Sequence, residues 1–73
     1  MLKVIGKNGC GACVTLKEKL ISEGVEFEYM MFEDIDAKTR REYVTKSRNA
    51  GIKRFPMVFK DDEVVADTDS LFN

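Results

Sequence analysis

The chain has no histidine, no tryptophan, one proline and only two cysteines. Each scarcity excludes something. Without histidine, and with cysteine confined to one pair, a single copy cannot complete the tetrahedral nitrogen–sulfur set of a structural zinc site, so no metal site is expected. No apolar run approaches the roughly 18 residues of a membrane span. The start of the chain lacks the basic leader, long apolar core and cleavage site of a secretory signal. A net charge of −1 gives nucleic acid no bulk attraction. The basic residues are scattered, with only Arg40-Arg41 and Lys53-Arg54 adjacent. These absences point to one small cytoplasmic domain spanning residues 1–73, monomeric, with neither nucleic acid nor membrane as partner. In that compartment a cysteine pair is reduced by default, and a disulfide is transient and catalytic.

What is present reads as alternating strand and helix patterns. Met1 to Ile5 is a short buried strand, and Gly6 to Gly9 a loop. From about Gly11 to Glu23, Cys13, Leu16, Leu20 and Ile21 fall near helical spacing, and Gly24 suits a left-handed helix end. Val25 to Phe32 alternates, with Val25, Phe27, Tyr29 and Met31 on one face and Glu26 and Glu28 on the other. Asp34 or Asp36 can cap a second helix running to about Asn49, with Ala37, Tyr43, Val44 and Ser47 inward and Gly51 as its stop. Met57 to Phe59 and Glu63 to Ala66 form a hairpin around Lys60-Asp61-Asp62. Asp67 to Asn73 leaves room for a truncated C-terminal helix capped by Asp67 or Asp69. The order β-α-β-α-β-β is an α/β arrangement, a four-stranded mixed sheet flanked by helices.

Both cysteines fall in one motif, Cys10-Gly11-Ala12-Cys13, where the first strand gives way to the first helix. A dithiol at such a junction is suited to disulfide exchange. The attacking species is the thiolate, and an unperturbed cysteine is only about 3% ionised at pH 7. Unpaired N–H groups and the helix dipole at the position of Cys10 favour the anion. Lowering the pKa to roughly 7 takes about 2 kcal/mol, within reach of a helix end plus one cation. Lys7 is the candidate cation. Cys10 is the expected nucleophile and Cys13, one turn on, the resolving thiol. A dimeric zinc site, a structural disulfide and a pair of inert core thiols are the competing readings.

The only proline, Pro56, opens the third strand after Phe55. Here the chain resembles a glutaredoxin, within the thioredoxin-like superfamily. The resemblance rests on Lys7-x-x-Cys10-x-x-Cys13, the element order, Phe55-Pro56, and Thr68-Asp69-Ser70-Leu71 after the fourth strand. It implies a thioredoxin-like fold in which the Phe55-Pro56 bond is cis and faces the dithiol. It further implies that Lys7 and the backbone of Phe55 beside Pro56 hold glutathione, with Thr68, Asp69 and Ser70 at its γ-glutamyl end. The implied activity is glutathione-dependent thiol–disulfide exchange on protein disulfides or glutathione mixed disulfides, with no tightly bound cofactor and glutathione as reductant.

The chain also departs from the family pattern. C-G-A-C replaces the common C-P-Y-C, and Ala66-Asp67 replaces a glycine pair in the turn before Thr68. Lys53 and Arg54 either offer charge to a carboxylate or belong to a solvated loop. The family's last helix is only beginning where the chain ends, and Met30, Met31, Leu71 and Phe72 are candidates to cover that sheet face. An alternative is therefore a glutaredoxin-like redoxin recycled by thioredoxin reductase, with ribonucleotide reductase as a candidate electron acceptor. A more distant alternative is a dimer holding an iron–sulfur cluster through Cys10 and glutathione.

Overall fold

The computed structural model describes residues 1–72. Strand β1 (Leu2–Gly6) leads into helix α1 (Gly11–Ser22), and β2 (Phe27–Met31) follows. A short 3-10 turn (Phe32–Asp34) leads to helix α2 (Ala37–Asn49), then β3 (Met57–Lys60) and β4 (Glu63–Val64). The strand order is β2-β1-β3-β4. The β1–β2 pair is parallel, whereas β1–β3 and β3–β4 are antiparallel. This is the thioredoxin-like mixed sheet expected of the sequence.

Side-chain alternation along the central strands splits the core into two layers. Leu2, Val4 and Val58 face α1 and meet its Leu16 and Leu20. Ile5, Met57 and Phe59 face the other way and meet Tyr43 of α2. Tyr43 and Phe59 stack with ring centroids 4.7 Å apart. Each fully buried Leu, Ile or Phe contributes about 1.5–3 kcal/mol. Both faces of β2 are used. Phe27 and Tyr29 pack on the α1 side, while Met30 joins Phe32 and Ile35 on the α2 side.

Both helices end as their glycines predict. At the end of α1, Gly24 (φ +70°) donates to the Ile21 carbonyl at 3.1 Å and Val25 to Leu20 at 3.0 Å. At the end of α2, Gly51 (φ +81°) donates to Arg48 at 2.9 Å and Ile52 to Ser47 at 2.8 Å. Both are Schellman closures, which absorb carbonyls the helix leaves unpaired. At the start of α2, the Asp36 carboxylate accepts from the Thr39 N–H at 3.1 Å, and hydrogen bonding from Thr39, through its side chain and then its N–H, lowers its pKa below the ordinary value.

Several local expectations are corrected. Ile21 is 62% exposed, because the buried stripe of α1 runs Cys13, Leu16, Leu20 and Ile21 lies a further 100° round the helix. Ala37, the first residue of α2, is exposed. Strand β2 begins at Phe27 rather than Val25, since Val25 is spent on closing α1. Strand β4 ends at Val64, although the Val65 N–H still reaches the Val58 carbonyl at 2.7 Å. The C-terminal helix is a 3-10 segment, Thr68–Phe72, preceded by Asp67, whose carboxylate accepts from the Asp69 N–H at 3.0 Å. Leu71 and Phe72 pack onto the α1 layer. Asn73 lies outside the described residues.

Candidate active site

The dithiol is built by the first turn of α1. Gly9 takes a left-handed conformation (φ +74°), and Cys10 follows in an extended one as the N-cap. In place of the usual oxygen, the Cys10 Sγ accepts the Cys13 N–H at 3.2 Å. The same donor favours negative charge on that sulfur once the bond between the cysteines is reduced. Cys10 and Cys13 are joined as a disulfide, their Cα atoms 5.3 Å apart. Their environments differ sharply. Cys13 is 0% exposed, whereas Cys10 is only partly buried and is flanked by exposed Gly9, Gly11 and Ala12. An incoming molecule therefore meets Cys10 first.

Behind the pair lies a contact that no motif announces. A Cβ added to Gly6 would collide with the Tyr29 hydroxyl and come within 3.3 Å of the Cys13 Cβ. Gly6 is thus a point of close approach joining the end of β1, the ring of Tyr29 and Cys13. Lys17 crosses the outer side of that ring, its Nζ 4.7 Å from the centroid. The only sequence signal was a glycine after the mostly apolar run Leu2-Lys3-Val4-Ile5, read as loop and found instead to end β1.

The Phe55–Pro56 peptide bond is cis. Phe55 and Pro56 line a groove of about 480 Å³ with Ala12 of the dithiol motif, Arg54, Thr68 and Asp69. The fold thus brings together segments that are far apart in sequence. Lys7 joins from the loop before Cys10, with Nζ 5.3 Å from the centre of the Phe55 ring. Arg54 and Lys19 supply positive charge to the groove and Asp69 negative charge. Ser70 lies apart. Its hydroxyl donates to the Asp67 carbonyl at 2.7 Å, and it lines a separate groove with Leu2 and Leu71.

This geometry agrees with what similarity to known proteins shows. The glutaredoxin family profile matches residues 2–65. The chain belongs to the glutaredoxin family. Its fold superposes on the thioredoxin-like protein BC3987 with a TM-score of 0.72 and 27% identity, covering 97% of this chain and 94% of that one. A glutaredoxin from Archaeoglobus fulgidus matches with a TM-score of 0.67 and 26% identity, over 96% of this chain and 79% of that one. Wheat glutaredoxin shares the fold, with a TM-score of 0.70 at 20% identity over 96% of this chain and 65% of its own. No curated protein matches the chain. Membership in the glutaredoxin family, with Cys10 and Cys13 within disulfide reach, supports thiol–disulfide oxidoreductase activity. No helix among the described residues is long and apolar enough to cross a membrane.

Proposed function

We propose that the protein is a glutathione-dependent thiol–disulfide oxidoreductase acting on protein disulfides and glutathione mixed disulfides. The observation that carries this is the contrast between a reachable Cys10 at the start of α1 and a fully buried Cys13 one turn below, beside a groove of mixed charge. The Cys10 thiolate attacks one sulfur of a protein disulfide. A mixed disulfide forms, and the other substrate sulfur leaves as a thiolate that takes up a proton. Cys13 then gives up its proton and attacks the Cys10 sulfur. This releases the second substrate thiol and leaves Cys10 and Cys13 oxidised, the state seen here. Two glutathione molecules return the pair to thiols and become glutathione disulfide, so two electrons enter and two leave. With a glutathione mixed disulfide, Cys10 takes the glutathionyl group and a second glutathione removes it.

In this reading the groove holds glutathione. Asp69 and the backbone of Thr68 meet its zwitterionic γ-glutamyl end, while Lys7 meets the carboxylate at the other end. The Phe55 backbone beside cis-Pro56 pairs with the peptide as an added strand would. Ser70 supports the Asp67–Thr68 turn through its bond to the Asp67 carbonyl.

The test is NADPH consumption with a small glutathione mixed disulfide, glutathione and glutathione reductase. Turnover is expected, and Cys10→Ser abolishes it. Cys13→Ser retains a covalent adduct on Cys10 with a protein disulfide substrate. Absence of turnover by folded, reduced protein would overturn glutathione dependence. One feature favours a second reading, reduction by thioredoxin reductase with ribonucleotide reductase as a candidate acceptor. The exposed Gly11-Ala12 pair itself adds no aromatic ring to the groove, whose rings are Phe55 and Phe72. Electron flow from thioredoxin reductase in place of glutathione would establish that reading.

A further inference from the structure

A second groove, of about 550 Å³, opens beside Phe55. Its apolar surface comes from Phe32, Val44, Ile52 and Met57, its charge from Arg48 and Lys53, and no carboxylate lines it. Phe32 and Phe55 meet edge to face at 5.1 Å. Each ring also carries a cation, Arg40 at 5.5 Å from the Phe32 centroid and Lys7 at 5.3 Å from that of Phe55. Arg40, Val44 and Arg48 follow one another at four-residue intervals and so share one face of α2. Of the neighbouring acids, Glu33 accepts from the Asn8 N–H at 3.3 Å, and Asp36, one turn before Arg40, caps α2 through Thr39 while Arg40 also draws on its charge. Among the described residues the single ion pair joins Met1 to Asp61 at the far end of the hairpin. Among the described residues none of these cations forms an ion pair at contact distance, and Arg48 and Lys53 have no carboxylate lining the groove beside them.

A chain of net charge −1 thus concentrates positive charge around one aromatic-lined groove. That groove shares Phe55 with the one beside Cys10. We propose that it is a docking surface for an acidic segment flanking the disulfide of a protein substrate. Carboxylates of the segment meet Arg40, Arg48 and Lys53, its apolar side chains lie on Phe32 and Ile52, and its disulfide reaches Cys10 across Phe55. The surface supplies recognition only; the exchange chemistry remains that of Cys10 and Cys13. The proposal rests on the oxidoreductase reading but is independent of the physiological reductant.

The experiment uses two synthetic disulfide peptides that differ only in having glutamate or glutamine beside the cysteines, with dithiothreitol regenerating the protein. At low ionic strength kcat/KM is expected to favour the acidic peptide by roughly 10-fold. About 0.5 M salt should bring that ratio close to one. The double variant Arg40→Gln/Arg48→Gln should also lose the preference while keeping wild-type kcat/KM on the glutamine peptide. Equal rates on the two peptides, or a preference unmoved by salt, would overturn the docking surface and leave the oxidoreductase reading intact. The salt dependence is read on the unaltered protein, so the outcome does not hinge on the variant folding. Failure to reduce either peptide would bring down both readings together.

Discussion

The two sides of the sheet do different jobs with different materials. On the α1 side the buried layer is aliphatic, Leu2, Val4, Leu16, Leu20 and Val58, with the rings of Phe27, Tyr29 and Phe72 only at its edge, and the placement of the two sulfurs is set mainly by backbone. A helix start, a left-handed glycine and a glycine contact place the two sulfurs. On the α2 side rings enter the buried layer itself, Tyr43 and Phe59 beside Ile5 and Met57, with Phe32 and Phe55 at its edge and Arg40 and Lys7 over those two rings. Here side chains define the surface. The lesson is a division of labour. Geometry that must not vary is written into the main chain, and the surface facing a partner is written into side chains that can change without disturbing it.

That division can be broken first where the packing is tightest. Leu20, fully buried on the inner face of the dithiol helix, is expected to cost about 2–5 kcal/mol as Leu20→Ala. Half-buried Val44 on the opposite side should cost about 1 kcal/mol as Val44→Ala. Urea unfolding of both variants gives the comparison directly, and equal losses would erase it. Next in size is Gly6→Ala. The added methyl drives Tyr29 aside, which should cost about 1–3 kcal/mol in the same titration. Because the Cys13 Cβ lies at the same point, the rate of the resolving step should slow as well. An unchanged rate would show that Gly6 serves stability alone.

A smaller effect sharpens the α2 side. Ser47 is 0% exposed, and its hydroxyl has no hydrogen-bond partner among the described residues. An unsatisfied buried hydroxyl is a cost, so Ser47→Ala is expected to raise stability by about 1 kcal/mol, read as a higher urea midpoint. A lower midpoint would mean that the hydroxyl is satisfied in solution. The smallest effect is electrostatic. The Thr39 hydrogen bonds hold the Asp36 carboxyl below its ordinary pKa, and the N-terminal ammonium does the same to Asp61. A carboxylate with a depressed folded pKa contributes stability that is complete above its unfolded pKa of about 4 and is lost as pH falls through the folded value. The difference in melting temperature between wild type and Asp36→Ala should therefore be present at pH 7 and shrink as pH falls through the lowered folded pKa. A pH-independent difference would assign the effect to helix propensity instead.

Much of this was legible in residue order, for reasons that are local. Glycine at 24 and 51 stops a helix wherever it follows a helical stripe, and Asp36 caps because its carboxylate reaches an N–H three residues on. The Cys10-x-x-Cys13 spacing is likewise a one-turn relation. The cis bond at Pro56 was legible only through family resemblance, since the bare dipeptide leaves both isomers open. What stayed hidden depends on residues far apart in sequence. The contact of Tyr29 with Gly6, the Lys7–Phe55 pair and the groove between Phe32 and Phe55 exist only once β1, β2 and the Pro56 loop are side by side. Ile21 misled because an apolar residue one step beyond a buried one still looks in phase over so short a helix.

The burial of Cys13 has a consequence for anyone who handles the protein. Its sulfur-bearing residue is 0% exposed, while Cys10 opens to solvent among small neighbours. To a bulky thiol-reactive dye, a protein with two cysteines presents one. A fluorophore on the reduced chain therefore marks a single known position at the mouth of the groove, and no cysteine has to be removed to place it there.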